Sequence, residues 1–264
     1  MARTLSLHHL TALDVGPVEF VSIAAELGCT TVALFTHGDA PGFPMVTDEN
    51  EADVAARLRD AGVALHTVEY VALGPKVDWA SLEIGFVRSA RLGAQRMTVH
   101  CSDVEEDRAL ANFARICGLA ASQGMRIGLE WTAVNPAMSS LADASRFLGR
   151  AGQANADLAV DLLHLSRGGG SPADLASLPP GQVGYAQISD GPRERDLADY
   201  AQTELLVERA PPGEGELPVA EFIAALPDGI VVDVEAPQTA ARLAGVSALE
   251  RARNAVQAAR RFLP

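Results

Sequence analysis

The chain has 264 residues, of which 48% are hydrophobic and 21% charged, and its formal net charge is −13. That balance supplies a sizeable core and argues against nucleic acid as a partner, because an acidic surface repels phosphate backbones unless one face is locally basic. Three scattered cysteines (Cys29, Cys101 and Cys117) without CxxC spacing argue against a disulfide framework, and no apolar run is long enough to span a bilayer. The expectation is a cytoplasmic protein with reduced thiols and no membrane partner, with no targeting leader at its start.

The elements alternate along the chain. "TLSLHHL" (4–10) reads as a first strand. Phe20, Ile23, Ala24 and Leu27 then keep helical spacing up to Gly28, placed as a C-terminal cap. "TTVALF" (30–35), "VALHTVEY" (63–70) and "QRMTVHC" (95–101) are the next strands, with Gly62 and Gly93 ending the helices before the third and fourth. Leu110, Phe113, Ala114 and Cys117 share one helical face, and Gly124 leads into "RIGLEW" (126–131). "DLAVDLL" (157–163) is followed by only a short helix, "SPADLASL". "VGYAQIS" (183–189), a long polar stretch and "IVVDVE" (230–235) complete the strands. Ser247 and Glu250 open the last helix as a candidate capping box ahead of Ala252, Val256 and Ala259.

Several strands are apolar on both faces, as parallel strands covered by helices are. Eight β-then-α units predict a single-domain α/β protein over 1–264, a (β/α)8 TIM barrel. A doubly wound open sheet is the alternative, but no GxGxxG follows the first strand.

Barrels of this type carry their chemistry at the C-terminal strand ends. Strand five ends in Glu130, strand six in Asp161 with His164 three residues on, strand seven passes Gln187 towards Asp190, and strand eight ends in Glu235. Barrel closure brings these ends around one mouth, where clustered carboxylates repel unless a cation neutralises them. Glu130, Asp161, Gln187 and Glu235 offer an all-oxygen donor set, which suits Mn²⁺ or Mg²⁺ first and Co²⁺ or Zn²⁺ less. The plainer reading of any one of these acids is a helix N-cap or a surface ion pair. Glu69, Lys76 and His100 fall on the same rim. His100 also raises the question of a second metal. Trp131 either lines a sugar face or packs in the core. Arg193 or Arg195, in "SDGPRER", is placed to hold an anionic substrate group, or simply lies in a solvated loop. Arg209 with "PPGEGELP" reads as a lid or as turns.

"RIGLEW", "AVDLLH", "YAQISDGPR" and "VVDVE", in this order, resemble the xylose isomerase-like TIM barrels over essentially the whole chain, most specifically in its second half. That superfamily contains sugar and sugar-phosphate isomerases and epimerases, inosose and 3-dehydroshikimate dehydratases, and the endonuclease IV group. The resemblance implies one divalent metal held by Glu130, Asp161 (with His164 in DxxH), position 187 and Glu235. Position 187 is Gln where epimerases have His, which brings the set closest to 3-dehydroshikimate dehydratases, as do "DLLHLS" and "PPGEGELPVAEF". "LHTVEYVALG" lacks the arginine those dehydratases carry after strand three.

The shared chemistry is proton removal from carbon beside a carbonyl. A metal stabilises the enolate, and carboxylates move the proton. Glu130 and Glu235 are the candidate acid and base. His164 is a candidate proton shuttle or a partner that orients Asp161. Glu69, His100, Trp131 and Arg193 are candidate substrate contacts. The expected partner is a small polyhydroxylated keto compound (a sugar, sugar phosphate or cyclitol), and the chain is compatible with a homo-oligomer. Proton return gives isomerisation or epimerisation, and loss of hydroxide gives dehydration. A DNA-repair endonuclease is disfavoured by charge and by the small number of histidines, and a non-catalytic metabolite-binding barrel is the remaining alternative.

Overall fold

In the computed structural model, which describes residues 3–37 and 42–263, eight parallel strands close on themselves in chain order. They are β1 (Thr4–His8), β2 (Thr31–Phe35), β3 (Ala64–Leu73), β4 (Arg96–Cys101), β5 (Arg126–Glu130), β6 (Ala156–Asp161), β7 (Val183–Ile188) and β8 (Val231–Val234). Closure is made by β1 pairing with β8, with Ser6 opposite Asp233 and Leu7 opposite Val234. Each strand coincides with a segment expected from the sequence, and the fold is the (β/α)8 barrel.

Helices α1 (Pro17–Glu26), α2 (Glu51–Ala61), α3 (Trp79–Arg91), α4 (Glu106–Ser122) and α5 (Leu141–Ala151) follow the first five strands. They lay apolar stripes on the outer face of the barrel, as Phe113, Ile116 and Cys117 of α4 do. The backbone enters the left-handed region at Gly62 (φ 64°), where the helix end needs a residue without Cβ. The chain departs from regularity after β6. Helix α6 (Leu162–Arg167) starts at once, with Asp161 as its N-cap accepting from the Leu163 N–H at 2.7 Å. The strand therefore ends at Asp161, two residues before the expected boundary, because the carboxylate satisfies an orphan helical donor. After β7, residues 189–218 form a long loop carrying one short helix, α7 (Leu197–Asp199), and a wide turn over Tyr200–Glu204. Helices α8 (Val219–Ala225), α9 (Thr239–Leu243) and α10 (Ala248–Arg260) complete the ring.

The barrel interior is a polar column. At its base Asp157 accepts from Arg96 (2.6 Å) and Arg126 (2.9 Å), and the Arg96 guanidinium lies over the Tyr185 ring. Tyr185 meets the Thr98 hydroxyl at 2.6 Å, and Thr98 donates to Glu69 at 2.7 Å. Glycines make room for this column. A Cβ at Gly128 would stand 2.8 Å from the Tyr185 ring, and one at Gly184 would fall on the Asp157 carboxylate.

Candidate active site

Strand pleating decides which side chains reach the mouth. Inward positions alternate, so Ser6 and His8 of β1, Gln187 of β7 and Asp233 of β8 face the barrel axis. In β3 the register with β4 slips between Val68 and Val71, so that Glu69 and Tyr70 together oppose Thr98. A bulge of this kind re-aims side chains, and both residues line the central cavity of about 200 Å³ at the C-terminal end of the barrel.

One side of that cavity is ionisable. His100 Nε2 is 3.0 Å from Glu130 Oε2. His164 Nε2 is 3.6 Å from both Glu130 Oε1 and Asp161 Oδ2. The other edge of the His164 ring is fixed by the Tyr200 hydroxyl, 2.9 Å from Nδ1. His8 stands between Glu69 (3.3 Å) and Glu235 (3.5 Å). The other side of the cavity is apolar, made by Leu10, Phe35, Phe43, Leu205 and Leu206.

Asp161 is answered by a cation from the chain itself. Arg209 Nη1 donates to Asp161 Oδ2 at 2.9 Å and to Glu235 Oε2 at 3.0 Å. Its Nε donates to the Glu204 carbonyl (2.7 Å) and its Nη2 to the Leu205 carbonyl (2.8 Å), and the residue is only 3% exposed. Glu204, in turn, is gripped by Arg167 through two bonds and by Arg195. Asp190 accepts from the N–H groups of Gly213 and Leu217 and so ties the "PPGEGELP" turn to the end of β7. Arg209 thus anchors the loop in the acidic mouth, and Leu205 and Leu206 of the same loop line the cavity.

These contacts spread the acidities. Burial raises Glu235, to about 8, with Asp161 and Glu130 adding to it against His8 and Arg209. Burial acts on Glu130 in the same direction, but His100, His164 and Arg209 outweigh it and hold this carboxyl below its ordinary value. His100 is raised by Glu130 despite burial, and His164 is lowered by burial despite Asp161.

The donor set fits a divalent cation. Glu130, Asp161 and His164 each bring one donor atom within 4.8 Å of the other two, and Glu69, His100 and Glu130 form a second such group. Ligands at about 2.1 Å from one ion lie about 3.0–3.4 Å apart, so the 3.6 Å separations around His164 need little adjustment. Gln187, beside Asp161 in register, has both side-chain polar atoms buried without a partner, as a carbonyl donor facing a ligand site would.

Of the residues expected from sequence, Glu130, Glu235, His164, Glu69 and His100 all line the cavity. Glu235 falls in neither of the compact donor groups, and its carboxylate is engaged by Arg209. Two expected substrate contacts lie elsewhere. Trp131 is wholly buried in the core, because it follows inward-facing Glu130 by one residue and the pleat turns it outward against the helices. Arg193 is exposed on the outer loop, where its backbone N–H binds Glu216 and its carbonyl accepts from Arg167. His8, Tyr200 and Arg209 are the site residues that sequence reasoning missed or misplaced. His8 was open to detection, since it shares the inward phase of Ser6.

The sequence matches the xylose isomerase-like TIM barrel family over residues 21–263. No curated protein gives a significant match. Among solved structures, the IolI protein with a bound zinc atom superposes with TM-score 0.82 at 14% identity, covering 100% of this chain and 98% of that one. The probable 3-DHS dehydratase AsbF from Bacillus anthracis gives 0.75 at 15% identity (97% and 98% covered). D-psicose 3-epimerase in the presence of D-fructose gives 0.71 at 16% (100% and 99% covered). Likeness at these identities establishes the shared fold, and the match over nearly the whole sequence establishes the family: the chain belongs to the xylose isomerase-like TIM barrels.

Proposed function

We propose that the protein is a divalent-metal-assisted isomerase or epimerase acting at carbon next to the carbonyl of a small polyhydroxylated ketone. The observation that carries this reading is the convergence of Glu130, Asp161 and His164 on one point of a cavity that Glu235 also faces. Glu130, Asp161 and His164, with Gln187 beside them, would hold the cation, which when bound would polarise the substrate carbonyl. Mn²⁺, Mg²⁺, Co²⁺ and Zn²⁺ all fit a mixed oxygen and nitrogen set, and the imidazole favours the transition metals over Mg²⁺.

Within that frame the residues divide the work. Glu235, held by Arg209 on one oxygen and next to His8 on the other, is aimed into the cavity and exchanges the proton with the substrate carbon. His164, oriented by Tyr200 through Nδ1, would present Nε2 to the cation and fix the ring there. Glu130, bonded to His100, serves the opposite face. The apolar wall keeps bulk water from the reacting carbon.

Dehydration begins with the same proton removal and is the rival outcome. Its support is the Glu–Asp–Gln–Glu pattern of the strand ends and the fold shared with AsbF. Incubation in D₂O with Mn²⁺ and a panel of ketoses, cyclitols and 3-dehydroshikimate separates the two. Deuterium gain with an unchanged carbon skeleton is the expected result, and loss of one water from a substrate establishes the rival. No exchange and no water loss with any compound, with Glu235→Gln binding the panel as the parent does, would refute both.

A further inference from the structure

The strands on either side of Gln187 both offer it a carboxylate. On β6 its register partner is Asp161, and on β8 it is Asp233. The two acids differ in what they already hold. Asp161 accepts from the Leu163 N–H on Oδ1 and from Arg209 on Oδ2. Asp233 is wholly buried, and neither of its oxygens has a hydrogen-bond partner among the described residues. Ser6, its register partner on β1, has a buried hydroxyl in the same condition. His8 attracts Asp233 electrostatically, but its ring nitrogens lie against Glu69 and Glu235.

A buried carboxylate without donors is costly, and an asparagine of the same shape would fill the space with no charge to bury. The charge therefore calls for donors. Those its paired strands offer are the Ser6 hydroxyl and the Gln187 amide, whose Nε2 also lacks a partner. Paired strands lie about 4.8 Å apart, so a turn of the Gln187 side chain brings its amide to Asp233.

The amide has two unlike ends. Only Oε1 can coordinate a cation, and the N–H₂ end is repelled by one. Asp161 and Glu130, gathered on one flank, draw the N–H₂ end the wrong way. An ionised carboxylate on the other flank accepts and never donates, so it holds the N–H₂ end alone. Ser189, two residues further on, also has an unpaired buried hydroxyl, but a hydroxyl both donates and accepts and cannot choose between the ends.

We propose that Asp233 is the positioning residue that makes Gln187 a metal ligand: its carboxylate takes the Nε2 end of the amide, with the Ser6 hydroxyl on its other oxygen, and turns Oε1 towards the cation site of Glu130, Asp161 and His164. This inference rests on the cation site proposed above and adds to it a residue that touches neither metal nor substrate.

Calorimetric titration of the full chain with MnCl₂ tests the coupling in a cycle of the parent, Asp233→Asn, Gln187→Met and the double variant. Asp233→Asn keeps the shape but donates as well as accepts, so the choice between the amide ends is lost. Gln187→Met keeps the length and removes the amide. Asp233→Asn should weaken Mn²⁺ by about 10-fold in the parent, the usual effect of losing a partner that orients a ligand, and by less than about 2-fold beside Gln187→Met. Equal losses in the two backgrounds mean that Asp233 acts by charge alone and overturn the assignment, as does no loss in the parent. NMR of the nitrogen-labelled, Zn²⁺-loaded chain gives a second readout that needs only the parent and Gln187→Met. The Gln187 side-chain amide, identified by its loss in Gln187→Met, should show one proton shifted downfield and slow to exchange. An ordinary, fast-exchanging amide overturns the assignment. A parent chain that binds no Mn²⁺ defeats the cation site and this inference together. Coupled Mn²⁺ binding without deuterium exchange on any ketone defeats the isomerase reading and leaves the role of Asp233 standing.

Discussion

Arg209 Nη1 and Asp161 Oδ2 lie 2.9 Å apart in a site that excludes water almost completely, and the same nitrogen reaches Glu235 at 3.0 Å. The guanidinium is therefore the permanent counter-charge of the acidic mouth. Arg209→Leu should destabilise the metal-free protein by about 3–5 kcal/mol, the usual cost of orphaning a buried charge. Mn²⁺ should recover more stability in the variant than in the parent, because it supplies the missing charge. Melting temperatures with and without Mn²⁺ check this, and equal shifts in the two proteins would contradict it.

Tyr200 fixes His164 from behind through the 2.9 Å contact with Nδ1. Tyr200→Phe should lower kcat by about 10-fold, as loss of an orienting partner commonly does, with little change in KM. Folding stability should fall by only about 1 kcal/mol, the worth of one hydrogen bond. Steady-state kinetics beside a urea melt distinguishes loss of orientation from general damage.

The base of the barrel gives a prediction independent of the chemistry. A Cβ on Gly184 would overlap the Asp157 carboxylate, which Arg96 and Arg126 hold in place. Gly184→Ala should therefore cost about 1–3 kcal/mol through overpacking, whereas Gly149→Ala, with open space around its Cβ position, should cost nothing measurable. Urea midpoints of the two variants test the contrast.

Acid should weaken the fold through three histidines. Burial above all lowers His9 to about 3, His66 to about 3 and His37 to about 4. The unfolded chain takes up protons at these positions near pH 6.5 while the folded chain refuses them. Their contribution is complete above about pH 6.5 and is lost as pH falls towards the folded values, at up to about 1.4 kcal/mol per pH unit per group. Stability measured at about pH 7 and about pH 5 should show that slope, and His66→Gln should flatten it.

The strand ends were legible because parallel strands repeat every two residues. Glu130, Asp161 and Glu235 each close an apolar run, and barrel closure leaves them one place to go. The plainer reading of Asp161 as an N-cap was also sound: one oxygen caps α6 and the other meets Arg209. Trp131 takes the core-packing alternative of its two readings, because the same period sends it away from the mouth when Glu130 faces in. Arg193 and Arg209 were harder, since the loop that carries both has no period to read.

The amino-acid sequence by itself determined the barrel and the identity of the inward acids, because hydrophobic alternation and turn residues act locally. Tertiary structure alone decided how those acids are neutralised. Arg209 stands 48 residues from Asp161 and 26 from Glu235 along the chain. Its position depends on Glu204, Leu205 and Pro237 bonding it and its backbone across the loop. Contacts of that length leave no periodic trace, so the cation that answers Asp161 became visible only when the chain closed.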